Sequence, residues 1–440
     1  MKRGVGGVSV LRASLVWGLA ALFYFYDNLL QVSPSAMKPE LSLIFAREAE
    51  QFGSLSAYCL YAYGLMQIPA GLLMDRFGPK RLLTLASLLC GLGSLVFGLA
   101  LTLWQAKFGR VLIGMGAAFA LVGCLNIASL WFSAKRFAFM TGLTVTVGFL
   151  GAVFGLSTVS KIVAWCDWRH SMYYGGAVGL LLALLLWTMM PNAPREITLK
   201  VAGFRFSTAK SFARVLLAFY RGLKQVCRQA QTWIAALYAG LMFVPTLAFG
   251  GLWGIPFLVE AHGFDRETAG LCVSFIYIGW VFGAPFWGWI SDYYQRRKPP
   301  MMVATLLTLF LCIAIIYLQG LSLSLLAVLL FFLGFCSSGF IIAFAVVRET
   351  NTPEVAGTAI GFTNALNTLW GALAQPLIGK FLDMGTDPII AANGEHIFSL
   401  VAYQQAFIAL PVALVISIIL LMFVKETFCK VSYKPAMLMG

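Results

Sequence analysis

Apolar runs of about twenty residues follow one another along almost the whole of this chain. Lipid offers the backbone no hydrogen-bond partners, so a run of that length crosses a bilayer as a helix that satisfies its own polar groups. Twelve such runs can be read, at about residues 13–34, 53–74, 82–103, 105–131, 138–160, 172–190, 231–257, 268–291, 301–319, 323–347, 357–381 and 402–424. The remaining sequence is too poor in charge for a soluble alternative. Only 11% of the 440 residues are charged and 60% are hydrophobic, whereas a soluble domain carries about 25% charged residues. Disorder, collagen and coiled coil are excluded on the same ground. The first run, although preceded by Lys2, Arg3 and Arg12, lacks a small-residue cleavage pattern and is read as a retained helix.

Lys and Arg set the expected orientation. With the N-terminus inside, 23 of the 31 basic residues fall on inner segments and seven on outer ones. Both termini are then cytoplasmic, and the net charge of +14 is an orientation signal with no need of nucleic acid. The nine cysteines form no CxxC pair or Cys/His cluster, so neither a metal nor a redox cofactor is expected. The stretch 191–230, opening with Pro191 and Pro194, separates six runs from six. It divides the chain into an N-terminal bundle (1–190), a basic cytoplasmic linker (191–230) and a C-terminal bundle (231–440). Internal repetition supports the division: Gly71 and Asp75 close the second run, and Gly288 and Asp292 close the eighth, each 217 residues on. Parallel six-helix repeats are a recurring transporter architecture.

At this point the sequence resembles a known family. The segment from Gly71 through Asp75, Arg76, Gly78 and Pro79 to Lys80 and Arg81 is similar to the loop signature of the major facilitator superfamily, and Arg110, Gly114 and Gly116 match its RxxxGxG motif. The resemblance covers nearly the whole chain. It implies the major facilitator fold, an all-α membrane protein of twelve transmembrane helices in two six-helix pseudo-repeats around a central cavity. It also implies a conformational latch at Gly71, Asp75, Arg76, Gly78, Lys80 and Arg81, with a degenerate copy at Gly288 and Asp292. The acid of the first latch is held by helix N-termini and arginines when the cavity opens outward. Gly71, by itself, suits close approach of two helices. The second copy has Tyr293 and Tyr294 after its acid, which departs from the pattern. The stretch from Phe25 to Leu41 is similar to the first helix of the phagosomal transporter group, which takes up amino acids or nucleosides.

Charge inside the runs is the sharper functional signal. Of 17 acids only Asp27 lies deep within a run, and of 31 bases only Arg110, with Lys107 and Lys380 falling at outer run ends. Such charges are expensive in lipid and mark function. At 1.5 Å per residue both lie roughly 21–22 Å from the inner face of a ~30 Å core. We expect them to meet across the cavity in its outer half, with Arg110 anchoring an anionic group of the solute and Asp27 carrying the coupling proton. A permanent salt bridge that only fixes helix packing is the plainer reading of the same pair. Polar faces on other helices supply further expected solute contacts: Tyr24 and Gln31 in the first run, Tyr238 and Trp253 (with Met242 and Thr246) in the seventh, and Asn364, Asn367, Thr368 and Gln375 (with Gly371) in the eleventh. Trp253 and Trp280 also suit interfacial or packing roles. Gly148, Gly151 and Gly155 form a small-residue face on the fifth.

No nucleotide loop, nucleophile triad or metal spacing occurs, so an enzyme is not expected. Two isolated charges do not make the pore lining of a channel, and the linker is too short and basic for a signalling domain. The expectation is a monomeric secondary transporter of a bacterial inner membrane, driven by a proton gradient and partnered only by its small solute and the bilayer. The antiporter signature of the superfamily carries a proline in the fifth helix, and none lies between Lys135 and Lys161. That favours uptake of an amino-acid-like solute or organic anion over drug or siderophore export or uncoupled facilitation.

Overall fold

A computed structural model describes residues 10–45, 48–132, 134–191, 220–352, 355–385, 389–390 and 396–430. The expected linker, residues 191–230, falls largely outside them. Six helices precede it: α1 (Val10–Val32), α2 (Ala49–Phe77), α3 (Pro79–Leu99), α4 (Leu103–Trp131), α5 (Ala134–Cys166) and α6 (Trp168–Met189). Six follow: α7 (Ala230–Val244), α8 (Arg266–Tyr293), α9 (Lys298–Tyr317), α10 (Leu323–Ser337), α11 (Ala356–Met384) and α12 (Leu400–Ala406 with Ala409–Phe423). By length and composition ten helices qualify as membrane-crossing. The 29-residue helices α2 and α11 complete two sets of six. Below, "inner" denotes the side expected to face the cytoplasm.

Local chemistry fixes the turns. Gly78 ends α2 with φ of +76°, a conformation that L side chains rarely adopt, and Pro79 then opens α3, where its missing N–H costs nothing. On the outer side, α4, α6, α8, α10 and α12 each begin with a side-chain cap, from Thr102, Asp167, Asp265, Ser322 and Ser399. At α2, Glu48 provides no such cap. Its first amides are satisfied from the other half of the molecule, as described below.

Three segments depart from the twelve simple runs. α1 continues past Val32 through a 3₁₀ turn, Ser33–Met37, into a short outer helix, Lys38–Ile44. α7 passes into a π-helical stretch, Pro245–Trp253, before Gly254–Glu260. α10 tightens to 3₁₀ geometry at Ser338–Ile341 and continues as Ile342–Thr350. A two-stranded hairpin, β1 (Ile389–Ile390) with β2 (His396–Ile397), lies in the last outer loop and had no periodic signal in the sequence.

The halves meet along two seams, α2 with α11 and α5 with α8. Both tighten toward the outer side. A Cβ built at Gly53 on α2 would stand 2.4 Å from the Gln375 carbonyl oxygen, and one at Gly379 on α11 would stand 2.2 Å from that of Ala49. Nearer the middle, at Gly64, the nearest α11 atom is 3.5 Å away, and at Gly71 nothing lies within 4 Å. On the second seam, a Cβ built at Gly270 on α8 would stand 2.6 Å from the Leu156 carbonyl oxygen, while one at Gly288, farther in, would meet no described atom within 4 Å. The helices are therefore splayed apart at the inner side.

Candidate functional site

A cavity lies between the halves, with about 1070 Å³ of empty space counted out to its mouth. α1 contributes Tyr24, Asn28 and Gln31, α2 contributes Tyr63, and α11 contributes Asn364, Thr368 and Gln375. The small-residue face expected on α5 sets the position of α1. Gly148 leaves room for the Tyr24 ring, where a Cβ would fall 2.2 Å from it, and Gly151 meets the Phe25 carbonyl at 2.1 Å. Five of the ten expected solute and coupling residues thus line the cavity: Tyr24, Gln31, Asn364, Thr368 and Gln375.

The π-helical stretch explains why α7 was misjudged. Its i→i+5 pattern breaks the 100° register on which Tyr238, Thr246 and Trp253 shared a face, and it frees carbonyls for other partners. Gln375 Nε2 donates to the Leu247 carbonyl at 3.0 Å, and Ser35 Oγ to that of Leu252 at 2.6 Å. Tyr238 and Trp253 are fully buried behind this segment. The Tyr238 hydroxyl bonds Thr305 on α9 at 3.1 Å, and Trp253 Nε1 donates to the Gln375 carbonyl at 3.0 Å. Neither lines the cavity: Tyr238 packs within the C-terminal half, and Trp253 also meets the Phe52 ring of α2 at 5.5 Å. Asn367 is also buried outside the cavity lining. Gly371, one turn on and on nearly the same face, packs against Leu247 of α7.

The pairing expected between Asp27 and Arg110 is not formed: among the described residues no ion pair joins them. Arg110, 1% exposed, donates to the carbonyls of Leu30 at 2.9 Å, Gln31 at 3.0 Å and Ser56 at 3.5 Å. The reason lies in α1. Pro34 has no N–H, so the Leu30 carbonyl loses its donor four residues on, and the change to 3₁₀ geometry disturbs the last turn. Arg110 supplies donors there, joined at the Leu30 carbonyl by Ser33 Oγ at 2.9 Å, and does not line the cavity. It meets α1 one turn beyond Asp27, where its partner is backbone. We predict that Arg110→Leu lowers the melting temperature of the detergent-purified protein sharply, because charge-assisted bonds to two carbonyls, each about 1.5–3 kcal/mol, are lost together. A thermal-shift assay checks this.

Asp27 is 0% exposed and sits one layer behind the cavity wall. Its Oδ1 accepts from Asn28 Nδ2 at 3.0 Å and Gln31 Nε2 at 3.1 Å, while Oδ2 has no hydrogen-bond partner. Gln31 and Asn28 both line the cavity, so the acid communicates with its contents through two amides. Among the described residues no Lys, Arg or His lines the cavity.

The outer side is closed by contacts between the halves. Lys38, beyond α1, forms a buried ion pair with Glu260 after α7; their side chains are 2% and 7% exposed. The other Glu260 oxygen accepts from the Phe398 amide at 3.0 Å and the Tyr403 hydroxyl at 3.1 Å. Arg266 pairs with Glu40 at 2.8 Å. Asp383 on α11 accepts the amides of Ala49 and Glu50, each at 2.7 Å. It is the cap that α2 lacks, delivered from the opposite bundle.

The sequence profile described as Major Facilitator Superfamily matches residues 16–375 and 248–433. The chain belongs to that superfamily. It is a transporter scaffold, not an enzyme. The chain is 25% identical over 306 residues to the probable sulfoacetate transporter of Cupriavidus necator, covering 68% of this chain and 70% of the relative. It is 24% identical over 400 residues to the hexuronate transporter of Bacillus subtilis, covering 87% and 91%. Among solved structures, a bacterial homologue of the human lysosomal transporter Spinster, inward-facing and unoccupied, aligns with a TM-score of 0.76 and 18% identity over 98% of this chain and 100% of that one.

The segment expected to form a latch is described in part. The side chains of Asp75 and Arg76 lie outside the described residues. Lys80 stacks on the Trp187 ring at 5.4 Å, and Arg81 is exposed. Gly71 and Gly288 have no close neighbour in this conformation, contrary to the close approach expected of Gly71.

The second copy is better built than its sequence suggested. Asp292 is joined by Arg297, five residues on, at 2.7 Å. Arg297 also bonds Glu349 at 2.6 Å, and Glu349 accepts the Thr427 hydroxyl. Glu426 caps the first amides of α9, at Arg297 (2.8 Å) and Lys298 (3.0 Å). Burial opposes the charge on Arg297, but the Glu349 and Asp292 carboxylates outweigh it and hold the guanidinium above its ordinary pKa. Asp292 is 69% exposed against 12% for Glu349, so Glu349 carries most of the attraction. Arg297→Ala takes the guanidinium away from that buried carboxylate. The expected loss is about 3 kcal/mol, with faster proteolysis of the segment after Val424 as the readout.

Proposed function

We propose that this chain is a proton-coupled importer of a small, net-uncharged polar solute, working by alternating access with both termini in the cytoplasm of a bacterial cell. The observation that carries this reading is the charge distribution around the cavity: among the described residues no cation lines it, and one acid, Asp27, stands behind Gln31 and Asn28. The named relatives carry sulfoacetate and hexuronate, both anions, and an anion in a dry site calls for a guanidinium or ammonium. Arg110 is engaged by backbone and unable to serve. The role first expected for it therefore passes to the amides of Gln31, Asn364 and Gln375, which donate and accept. Asp27 is proposed as the proton carrier, its amide neighbours sensing whether the cavity is filled.

The splayed inner seams and closed outer side support an inward-open state, from which solute and proton leave together. The chain then returns through the outer opening. Uptake of a labelled solute panel into proteoliposomes, with and without an acidic exterior, tests the reading. Accumulation of an uncharged polar solute, dependent on the pH gradient, is expected. Counterflow without accumulation would make the protein a uniporter, and gradient-driven loss of solute from the interior would make it an exporter.

A further inference from the structure

The cavity has two unlike walls. The amides face one side. The other is a continuous aromatic surface built from α5, α7, α8 and α10: Phe149, Phe243, Tyr277, Trp280, Phe340 and Phe344. Phe149 lies 5.9 Å from Tyr277 and 5.1 Å from Trp280, and Trp280 lies 5.3 Å from Phe243 and 5.2 Å from Phe340. The indole N–H of this wall is engaged, since Trp280 Nε1 donates to Thr246 Oγ1 at 3.0 Å and Thr246 in turn bonds Ser337 at 3.1 Å. The Tyr277 hydroxyl is the other polar group of a wall made otherwise of ring carbon. Opposite, Gln375 lines the cavity with an Oε1 that makes no hydrogen bond within the protein. A compact hydroxylated solute can set one C–H face against a ring, whereas six clustered rings give a flat solute more surface to stack on.

We infer that the solute is a planar, uncharged ring compound, stacked on the Phe149–Trp280 wall and held at its polar edge by the amides of α1 and α11. The inference rests on the cavity being the solute site, as proposed above. Stacking on aromatic side chains adds about 0.5–1.5 kcal/mol beyond area burial, so a flat solute is expected to bind about 3- to 10-fold tighter than its saturated, puckered counterpart. Phe149 comes from one half and Trp280 from the other, so a ring stacked across the contacting pair would also touch both bundles.

The test uses purified full-length protein and matched probe pairs by calorimetry: uridine with 5,6-dihydrouridine, nicotinamide with cyclohexanecarboxamide, and phenylalanine with cyclohexylalanine. Sulfoacetate and glucuronate serve as anionic probes. The flat member of at least one pair should bind about 3- to 10-fold tighter, and Phe149→Leu should erase that ratio while Asn364→Ala weakens both members. Phe344→Leu replaces Phe149→Leu if the latter does not fold. A ratio near one in every pair, tightest binding of an anionic probe, or no binding of any probe would overturn the inference. If ratios are near one but Asn364→Ala still weakens binding, the ring preference alone fails. If Asn364→Ala changes nothing for a probe that binds, the cavity itself is not the solute site and the proposed function fails with it.

Discussion

Replacing Asp27 by Asn is expected to abolish uphill accumulation of solute while leaving solute-for-solute counterflow in place. The substitution keeps the shape of the side chain, and an Asn oxygen still accepts from the amides of Asn28 and Gln31, so the wall of α1 should stand. What disappears is the group that binds and releases a proton. No other acid was read within the membrane spans, so no neighbour can take over the task. With one proton per solute, each unit of pH gradient supports about tenfold accumulation, since one unit corresponds to about 1.4 kcal/mol. The variant is expected to fall to a ratio of about one while wild-type protein reaches about ten. Paired measurements of initial counterflow and steady-state uptake in the same vesicles separate a lost coupling from a misfolded protein. Retained accumulation would move the proton site elsewhere.

Gly53→Val is expected to hold the protein open to the outside. The new Cβ would fall 2.4 Å from the Gln375 carbonyl oxygen and 2.7 Å from the Pro376 Cα, both backbone atoms that cannot rotate away. Overpacking of this kind costs about 1–3 kcal/mol even for small additions, and Val adds two methyl groups more. The penalty applies only where α2 and α11 meet, and those helices meet only while the outer side is shut. About 2.7 kcal/mol turns a 99:1 preference into an even one. Thiol labelling of an Asn364→Cys variant from the inner side, with Cys166, Cys227 and Cys429 replaced by Ser, should drop at least about tenfold when Gly53→Val is added. Uptake should be lost in parallel. Asp383→Ala should shift labelling in the same direction and by less, because it removes an N-cap worth about 0.5–2 kcal/mol. Unchanged labelling in both variants would mean that the outer contacts do not govern access.

Much of the architecture could be read from the sequence because lipid leaves a chain few options. A helix must be apolar and about twenty residues long, so its limits are written in composition. The repeat of Gly71 and Asp75 at Gly288 and Asp292 agrees with two sets of six helices, and the lone acid Asp27 bonds two amides that line the cavity.

What the sequence obscured was the local backbone. Arg110 was expected to hold solute because its natural partners, the carbonyls left open by Pro34 and the 3₁₀ turn, are invisible to a side-chain inventory. A proline four residues after Leu30 was the available signal. On α7, Pro245 and the glycines at 250, 251 and 254 announced irregular geometry, and a uniform helical wheel hid it, so Tyr238 and Trp253 were assigned to the wrong face. Asn28, Tyr63 and the aromatic wall were missed for a different reason: a ring or an amide inside an apolar run looks like packing until the facing helix is known.

Charge movement during uptake tests the central claim most directly. Proteoliposomes on a solid-supported membrane, given an uncharged solute from the panel with an acidic exterior, should pass inward positive current that requires both the solute and Asp27. Electroneutral uptake of an anionic solute, or full current in Asp27→Asn, would contradict a cavity that carries a proton and a neutral molecule together.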